Sequence, residues 1–200
     1  MSTESELARL GAATVYEASG REGLVDVEFR QVIPRSRACG PARIARCGQG
    51  DNLTVHAVMR SLRAGEVLVL CMPEPAPVAL LGDLLATQAI ARGAAAVLVD
   101  AAVRDVEELE EMGLPIWTRF VRSRGATKDI RGELDVPVTI GGCEIRPGDL
   151  LVLDADGVTC VAAERAEEVL RASLAREAKE ADKRVKLQAG ALSFDLDHLG

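Results

Sequence analysis

The sequence is short of aromatic residues, with one Trp, one Tyr and three Phe among its 200 residues. A surface that stacks nucleic-acid bases needs several aromatic side chains, so this shortage argues against that class of protein. It also means that the core must be built from Ala, Val, Leu and Ile. A hydrophobic fraction of 48% argues against disorder and predicts aliphatic strands covered by Ala- and Leu-rich helices.

Clustered basic residues are also lacking, apart from a short mixed run at Arg176–Lys186. The formal net charge is −7, and phosphate binding needs grouped Lys and Arg, so we expect no nucleic-acid partner. No apolar run approaches the ~20 residues that cross a bilayer. Met1–Leu10 lacks the basic and apolar regions of a signal peptide. We therefore expect a cytoplasmic protein without a membrane partner.

The cysteines are odd in number, and no two of them have the spacing of a zinc-ligand pair. Most lie within or beside apolar runs, which predicts small buried residues in a reducing cytoplasm. One lies in a Gly-Gly turn, and we interpret it as structural too. The five are Cys39, Cys47, Cys71, Cys143 and Cys160.

The pattern of apolar residues predicts an α/β protein. The predicted helices are Ser2–Ala18, Asn52–Arg63, Leu84–Arg92, Val106–Met112 and Glu164–Lys186. The predicted strands are Arg30–Pro34, Ala42–Ala45, Glu66–Met72, Ala94–Val99, Pro115–Arg119, Val136–Ile140, Asp149–Leu153 and Val158–Ala162. The central strand–helix–strand–helix–strand order predicts parallel pairing, whereas Gly-rich turns predict hairpins later in the chain.

We therefore expect a layered α-β-β-α sandwich with mixed sheets, similar to swivelling β/β/α folds. A doubly wound nucleotide-binding domain is not expected, because no G-x-G-x-x-G follows a strand. We divide the chain into an α/β domain, residues 1–163, and a C-terminal helix with its tail, residues 164–200. A Pro/Gly-rich turn is expected at Gly40-Pro41, and Asp51 is expected to cap the helix that follows it.

Two loops follow strands of the predicted parallel sheet and should face one crevice, since ligands collect at the carboxyl ends of parallel strands. The first is Leu80–Leu84 and the second is Asp100–Asp105. Gly82 would let a ligand approach the backbone, and the free N–H groups at the following helix start would bind a carboxylate.

Three charged residues in these loops are candidates for binding or catalysis. Twenty residues separate Asp83 from the adjacent pair Arg104 and Asp105. Each has a structural interpretation, because Asp is a common helix cap and Arg104 could pair with a nearby carboxylate. Taken together, a hard oxygen ligand, a carboxylate-binding Arg and backbone N–H groups suit a divalent cation and an oxo-acid.

The histidines and lysines give weaker evidence for a catalytic site. His56 lies in a predicted helix and His198 in the tail, and we interpret a lone helical histidine as structural. No Ser/His/Asp or Cys/His set can be assembled. The lysines do not lie at apolar strand ends, where a lowered pKa would allow a Schiff base, so a metal route is preferred to a lysine route. They are Lys128, Lys179, Lys183 and Lys186.

The segment GDLLATQAIARGAAAVLVDAAVRD, residues 82–105, resembles the Asp-x20-Arg-Asp signature of the 4-hydroxy-4-methyl-2-oxoglutarate / 4-carboxy-4-hydroxy-2-oxoadipate aldolase family. That family shares its fold with regulators of ribonuclease E activity. The resemblance extends over nearly the whole chain. Further matching segments are ATVYEASGREG, GDNLTVHAV, RPGDLLVLDADGV and REAKEADKRVKLQAGALSFDLD.

The resemblance implies a class II pyruvate aldolase that uses Mg²⁺ or Mn²⁺, with oxaloacetate decarboxylase side activity and a role in aromatic compound degradation. It implies that Asp105 ligates the metal, that Arg104 binds the pyruvyl unit and stabilises the enolate, and that Asp83 orients a water for proton transfer. The backbone of Gly82, Asp83 and Leu84 would hold the substrate carboxylate.

The resemblance also implies a homotrimer, or a hexamer of two trimers, with the site between subunits. Glu17 and Glu180 match acidic residues that a neighbouring subunit supplies to the metal's water shell, with Glu177 as a competitor for the second role. Glu177 and Glu180 could equally form a solvated helix face. The 164–200 region would then pack on a neighbouring subunit.

The sequence departs from the family pattern at two places that bear on substrate choice. Ala101 stands where the family usually has Gly, and Pro73–Pro77 replaces a Gly/Asp-rich stretch. The alternatives are a non-enzymatic protein-binding regulator of the ribonuclease E inhibitor type and a lyase acting on another oxo-acid. A methyltransferase is disfavoured because no glycine-rich nucleotide loop follows the first strand. Retention of Asp83, Asp105 and the long C-terminal helix favours the enzyme.

Overall fold

A computed structural model describes residues 2–199, so Met1 and Gly200, the outer ends of the two predicted regions, lie outside the described residues. The α-helices are α1 (Thr3–Leu10), α2 (Ala12–Ala18), α3 (Leu53–Val58), α4 (Asp83–Ala91), α5 (Val106–Met112), α6 (Ala166–Gln188) and α7 (Ser193–Leu196). The strands are β1 (Arg30–Gln31), β2 (Ala38–Arg46), β3 (Val67–Cys71), β4 (Ala79–Leu81), β5 (Ala96–Val103), β6 (Ile116–Val121), β7 (Glu133–Leu134), β8 (Val138–Ile140), β9 (Cys143–Ile145), β10 (Leu150–Asp154) and β11 (Gly157–Val161).

Strand β2 joins two differently built parts of one curled sheet. Its first half, Ala38–Pro41, pairs antiparallel with β10, which continues into the β10–β11 hairpin. Its second half, Ala42–Arg46, pairs parallel with β3. From there the parallel order runs through β5 to β6, with β1 antiparallel at the edge. The expected mixed sheet is confirmed, and so are the parallel centre and the later hairpins.

Three buried clusters define the layers of the sandwich. The first lies between the parallel strands and helices α3, α4 and α5, and includes Val55, Ala86 and Leu109. The second lies on the other face of those strands, beneath the β8–β9 hairpin and around Trp117. The third packs α1, α2 and α6 on β10 and β11, with Leu7 at its centre. The α-β-β-α arrangement follows from these layers.

Two predictions about local structure were wrong. The expected single helix Ser2–Ala18 is broken at Gly11, which has φ +86°, so that Ala12 can begin a new helix and donate its N–H to Asp154 Oδ2 at 2.9 Å. The expected turn at Gly40-Pro41 is instead the middle of β2. A proline is tolerated there because β2 changes from one partner strand to another at this point.

The sequence prediction also missed strands β4, β7 and β9 and made β2 and β5 too short. The helix predicted at Asn52–Arg63 ends at Val58. The strand predicted at Ala94–Val99 does not end at Val99. It corresponds to β5, which continues to Val103 with an irregularity in its pairing to β6. Strand β4 was not predicted at all. It pairs parallel with the far end of β5, beyond the point where β3 stops.

The long C-terminal helix α6 is present and packs by its first half on α1 and α2 of the same chain. Val169 and Ser173 are its buried residues. Apolar side chains further along are exposed, including Val185 at 66%, Leu192 at 64% and Phe194 at 57%. Within residues 2–199, no helix has the length and apolar character needed to cross a bilayer.

Candidate functional site

The two predicted loops meet because β4 and β5 run side by side. Leu81 pairs with Val103 in this ladder, and the Arg104 N–H donates to the Leu81 carbonyl at 3.1 Å. One step further on, the Asp83 N–H donates to Asp105 Oδ2 at 3.2 Å. The structure therefore brings Gly82, Asp83, Arg104 and Asp105 together at the ends of adjacent parallel strands.

Asp105 occupies the position before helix α5 in a left-handed backbone conformation, with φ 59° and ψ 45°. Its side chain caps no N–H of α5. The routine-cap interpretation of this residue is therefore wrong, because the carboxylate turns away to α4. A non-glycine residue in this conformation costs roughly 1 kcal/mol, a strain that is common at functional sites.

Arg104 lies against Asp105, with its Nε 3.3 Å from Asp105 Oδ2 and nearly half of its side chain exposed. Two glycines leave room for this arrangement. A Cβ on Gly82 would lie 2.3 Å from Asp105 Oδ2, and one on Gly125 would lie 2.9 Å from Arg104 Nη1. The guanidinium is therefore held at the site while much of it remains available to a ligand.

The start of helix α4 forms the predicted N–H cradle with one difference. The first N–H groups of a helix have no intrahelical acceptor. The Asp83 N–H is already taken by Asp105, so those of Leu84 and Leu85 are the ones left for a carboxylate. Within residues 2–199, the Asp83 carboxylate accepts no hydrogen bond, and its side chain is half-buried.

Gly82, Asp83, Leu84 and Arg104 line a cavity of about 130 Å³, with Asp105 just behind this lining in contact with Asp83 and Arg104. Other residues of the lining were missed by sequence reasoning. Asn52 and His56, one helical turn apart at the start of α3, form a wall of the cavity together with Lys128. Asn52 Oδ1 and His56 Nε2 are buried without a hydrogen-bond partner among residues 2–199. An unpaired buried polar atom costs about 1–3 kcal/mol, so this wall is a candidate for contact with a bound water or ligand.

The signal that could have revealed this wall is the segment GDNLTVHAV, which carries Asn52 and His56 four residues apart. Sequence reasoning treated His56 as a lone structural histidine because the distance between α3 and the two acidic loops was unknown. Burial lowers the pKa of His56, and the Lys128 charge lowers it further. The imidazole is therefore neutral near pH 7.

Asp51 holds this wall in place. It is fully buried, and its Oδ2 accepts hydrogen bonds from Thr127 Oγ1 at 2.7 Å, the Asp129 N–H at 2.6 Å and the Ile130 N–H at 3.1 Å. Its Oδ1 accepts the Leu53 N–H at 2.7 Å, so Asp51 does cap the first N–H of α3, although Asn52 and not Asp51 occupies the N-cap position. Burial would raise the pKa of Asp51, but these hydrogen bonds lower it to about 2.

The donor set decides what kind of metal would suit the site. Within residues 2–199, no group of three or more His, Cys, Asp or Glu side chains is arranged to hold a metal ion. Both hydrogen bonds of the Asp105 carboxylate go to Oδ2, which leaves Oδ1 for a cation. A single carboxylate fits Mg²⁺ or Mn²⁺, since Mg²⁺ keeps several waters and binds through one or two carboxylates plus substrate oxygens.

The acidic residues expected from a neighbouring subunit lie on the α2–α6 side of the fold. Arg176 lies between them, with Nη1 3.8 Å from Glu17 Oε2 and Nε 2.8 Å from Glu180 Oε1. Glu177 instead forms a bidentate salt bridge with Arg9, with N–O distances of 2.6 and 2.8 Å. Within residues 2–199, no ion pair joins these glutamates to Arg104.

The cysteines are reduced, and four of the five are buried as expected. Burial raises the pKa of Cys39, Cys47 and Cys71 to about 12 in each case. Cys143 is only partly buried, and a hydrogen bond from Cys160 lowers the pKa of its thiol. None of them lines the cavity beside Asp83.

A family model for RraA-like proteins, described as Aldolase/RraA, matches residues 12–160. The chain is 36% identical over 139 residues to a putative 4-hydroxy-4-methyl-2-oxoglutarate aldolase of Halalkalibacterium halodurans, covering 70% of this chain and 66% of that protein. It is 36% identical over 130 residues to the 4-hydroxy-4-methyl-2-oxoglutarate aldolase of Thermus thermophilus, covering 65% of this chain and 79% of that one. The match to the first of these spans just under two thirds of its length.

Solved structures agree with the architecture. Streptomyces coelicolor RraAS2, described as an unusual member of the RNase ES inhibitor RraA protein family, is 28% identical with a TM-score of 0.79, covering 91% of this chain and 95% of that one. The RNA-processing inhibitor RraA from Thermus thermophilis is 34% identical with a TM-score of 0.63, covering 70% of this chain and 82% of that one. Both an aldolase name and a regulator name thus occur among similar proteins.

Proposed function

The chain belongs to the RraA-like family, and from that premise we propose that it is a divalent-metal-dependent pyruvate aldolase. Its substrates would be 4-hydroxy-4-substituted-2-oxo-diacids, cleaved to pyruvate and a second 2-oxo acid. The aldolase names of two relatives at 36% identity support this choice within the family. Oxaloacetate decarboxylation would be a side activity, because it passes through the same pyruvate enolate.

One observation carries the proposal: the Asp83 N–H donates to Asp105 Oδ2 beside a cavity that Asp83 and Arg104 line. This contact holds a carboxylate, a guanidinium and a helix start within reach of one small ligand. The combination suits an anionic ligand with a second oxygen that needs a cation.

We assign the metal to Asp105 Oδ1. A bound Mg²⁺ or Mn²⁺ would supply a Lewis acid for the 2-keto oxygen of the substrate. Arg104 would bind the pyruvyl carboxylate and stabilise the negative charge that develops on the keto oxygen. The free N–H groups of Leu84 and Leu85 would orient the same carboxylate, with Gly82 allowing its close approach.

The Asp83 carboxylate would orient a water molecule that accepts the substrate's proton. The 4-hydroxyl loses its proton to this water, the C3–C4 bond breaks, and its electron pair passes to C3 of the pyruvyl unit. The second 2-oxo acid leaves with its new C4 carbonyl. The enolate then takes a proton at C3 and becomes pyruvate, so that no proton or electron is gained or lost overall.

We also propose that the active form is a homotrimer or a hexamer of two trimers. One carboxylate is a small share of a divalent cation's coordination shell. Glu17 and Glu180 lie together around Arg176 and could be supplied jointly to a neighbouring subunit's site. The exposed apolar side chains of the 164–200 region support packing against another copy.

The test uses purified protein with Mg²⁺ or Mn²⁺ and measures pyruvate release from 4-hydroxy-4-methyl-2-oxoglutarate and from oxaloacetate. Asp105→Asn keeps an oxygen for the Asp83 N–H but loses the charge, so kcat should fall at least ~100-fold and Mn²⁺ affinity should drop. Asp156→Asn, in the exposed turn after β10, is the matched control and should leave both unchanged.

Absence of metal-dependent pyruvate release from every 2-oxo acid tested would overturn the proposal. The main competing function is a regulator of an RNA-processing enzyme, as the name of the 34% identical structure suggests for that protein. A regulator would bind its protein partner without added metal, and Asp105→Asn would leave that binding intact.

A further inference from the structure

A second cavity, of about 380 Å³, is lined by a different set of residues from the cavity beside Asp83. It lies between the loop that follows α2, the turn of the β8–β9 hairpin and strand β11. Cys143 and Cys160 both line it. The aldolase chemistry proposed above uses neither of them, so their pairing at this cavity needs its own explanation.

The two cysteines belong to different sheets. Cys143 begins β9, in the two-stranded β8–β9 sheet, whereas Cys160 lies in β11 of the large curled sheet. Both pack on the hydrophobic cluster around Trp117, and the Cys160 thiol donates a hydrogen bond to the Cys143 sulfur. Sequence reasoning treated Cys143 as structural because this contact between two sheets is not visible in the sequence.

The two sulfur atoms differ in exposure and in acidity. Cys143 is partly buried, whereas Cys160 is 7% exposed. The hydrogen bond from Cys160 lowers the pKa of Cys143, against the opposing effects of burial and of the Asp149 and Glu144 charges. The same bond, together with burial, raises the pKa of Cys160. A more exposed, more acidic thiol beside a buried one is the usual arrangement of a reactive cysteine and its resolving partner.

Asp149 provides a proton acceptor next to the buried thiol. Cys160 Sγ lies 3.9 Å from Asp149 Oδ2. The carboxylate is buried, and it accepts the Arg146 N–H at 2.8 Å through Oδ2 and the Ala163 N–H at 3.2 Å through Oδ1. These two bonds hold the carboxylate in place, so it remains beside Cys160 whatever happens to the thiol.

We propose that Cys143 and Cys160 are an oxidation site, at which a peroxide that enters the second cavity is reduced and the two sulfurs are joined in a disulfide. The bond ties the β8–β9 hairpin to β11. This site is independent of the proposed aldolase function, because its residues and its cavity are separate from those of Asp83 and Arg104.

The reaction takes two steps. The Cys143 thiolate attacks one oxygen of the peroxide, the O–O bond breaks, and the other oxygen leaves with a proton as water or an alcohol. Cys143 is then a sulfenic acid. The Cys160 sulfur attacks the Cys143 sulfur, and the S–O bond breaks. The Cys160 proton passes by way of Asp149 to the departing hydroxide, which leaves as water. The two thiols are oxidised by two electrons in total, and the peroxide takes up both.

The first step prepares the second. The largest cause of the raised pKa of Cys160 is its hydrogen bond to Cys143. Once the Cys143 sulfur is oxidised it carries no negative charge, so this cause disappears and Cys160 loses its proton more readily. The attack of a thiolate on the neighbouring sulfur can then proceed before a second peroxide arrives.

The experiment treats the reduced full-length protein with hydrogen peroxide and counts its thiols after denaturation. The count should fall from five to three, and dithiothreitol should restore all five. The intact mass should fall by two hydrogen atoms. Cleavage after glutamate separates the cysteines, since Glu144 lies between them, so peptides 134–144 and 145–164 should be recovered joined until they are reduced.

Two variants assign the roles of the sulfurs. Cys143→Ser should keep its remaining thiols under the same treatment. Cys160→Ala should stop at the Cys143 sulfenic acid, which dimedone traps. Cys39→Ala is the matched control, because Cys39 is also buried but lies in β2 and outside this cavity, and it should still form the disulfide. If Cys160→Ala proves unstable, the peptide map of the wild type decides.

Three results would overturn the proposal. The first is a wild-type protein that keeps five thiols in excess peroxide. The second is a protein that gains oxygen at Cys143 while Cys160 stays free. The third is a disulfide between two chains, which a non-reducing gel would reveal.

Discussion

Gly82 faces the Asp105 carboxylate so closely that a methyl group on Gly82 would lie 2.3 Å from Asp105 Oδ2. The backbone of Gly82 is extended, with φ −142°, so left-handed geometry is not the reason for glycine here. Space is the reason, because the carboxylate must lie against the start of α4 to accept the Asp83 N–H. The proposed metal ligand and the proposed substrate cradle therefore depend on one missing side chain.

Gly82→Ala should disable the site without unfolding the protein. The added methyl group would push the Asp105 carboxylate and the Arg104 side chain from their positions, since Arg104 Cγ and Nε lie 3.1 Å from the same point. A displacement of about 1 Å in a catalytic group can cost ~100-fold in rate. We expect that loss in kcat, with the circular dichroism spectrum and the thermal midpoint nearly unchanged. A variant with full activity would show that Asp105 need not lie against α4.

Asp51→Asn should destabilise the protein by an amount that depends on pH. The new side chain keeps only one accepting oxygen, so its NH2 group would face either the Leu53 N–H or the Asp129 and Ile130 N–H groups, as a donor against donors. We expect a loss on the order of 3 kcal/mol in the free energy of unfolding near pH 7, measured by urea denaturation.

The sign of the pH dependence follows from the lowered pKa of Asp51, about 2 in the fold against an ordinary value of 3.8. Its contribution to stability is complete above the unfolded-state pKa and is lost as the pH falls through the folded-state pKa. The difference between wild type and Asp51→Asn should therefore be constant from pH 7 to about 5 and narrow from pH 4 towards 2. A constant difference over the whole range would contradict the assignment.

Glu180→Gln should lower turnover, whereas Glu177→Gln should not. The two residues lie on the same helix, but Glu177 is bonded to Arg9 within its own chain, and this bond lowers the pKa of Glu177. Glu180 lies with Glu17 around Arg176 and is proposed to reach a neighbouring subunit. We expect a loss in kcat on the order of 10-fold for Glu180→Gln. A monomer in analytical ultracentrifugation would contradict the roles of both Glu17 and Glu180.

Iodoacetamide should modify one thiol per folded chain quickly at pH 7.5. Cys143 is partly buried, and the hydrogen bond from Cys160 lowers the pKa of its thiol, so more of it is thiolate. Burial raises the pKa of Cys39, Cys47 and Cys71 to about 12, so these should react only after unfolding. Mass spectrometry would identify the labelled residue, and Cys143→Ser should remove the fast phase.

The amino-acid sequence was sufficient for the layered α/β architecture, because aliphatic strands, Ala- and Leu-rich helices and glycine turns are local signals. It was also sufficient to select Asp83, Arg104 and Asp105 as candidates. Strand β4 was missed, since Ala79–Leu81 is too short to show a period and pairs only with the distant end of β5. The break at Gly11 was missed because it depends on a carboxylate from Asp154, far along the chain.

The tertiary structure alone decided what surrounds the three candidates. The sequence separates Asn52 and His56 from Asp83 by some thirty residues, and a lone helical histidine carries no functional signal by itself. Parallel pairing of β4 with β5, and the anchoring of the 127–130 segment on Asp51, bring these residues to one cavity. Contacts of this kind depend on which helices and strands pack together, so the sequence does not reveal them. Whether a single residue can bind a metal or an anion depends on its own side chain, so the sequence does reveal such candidates.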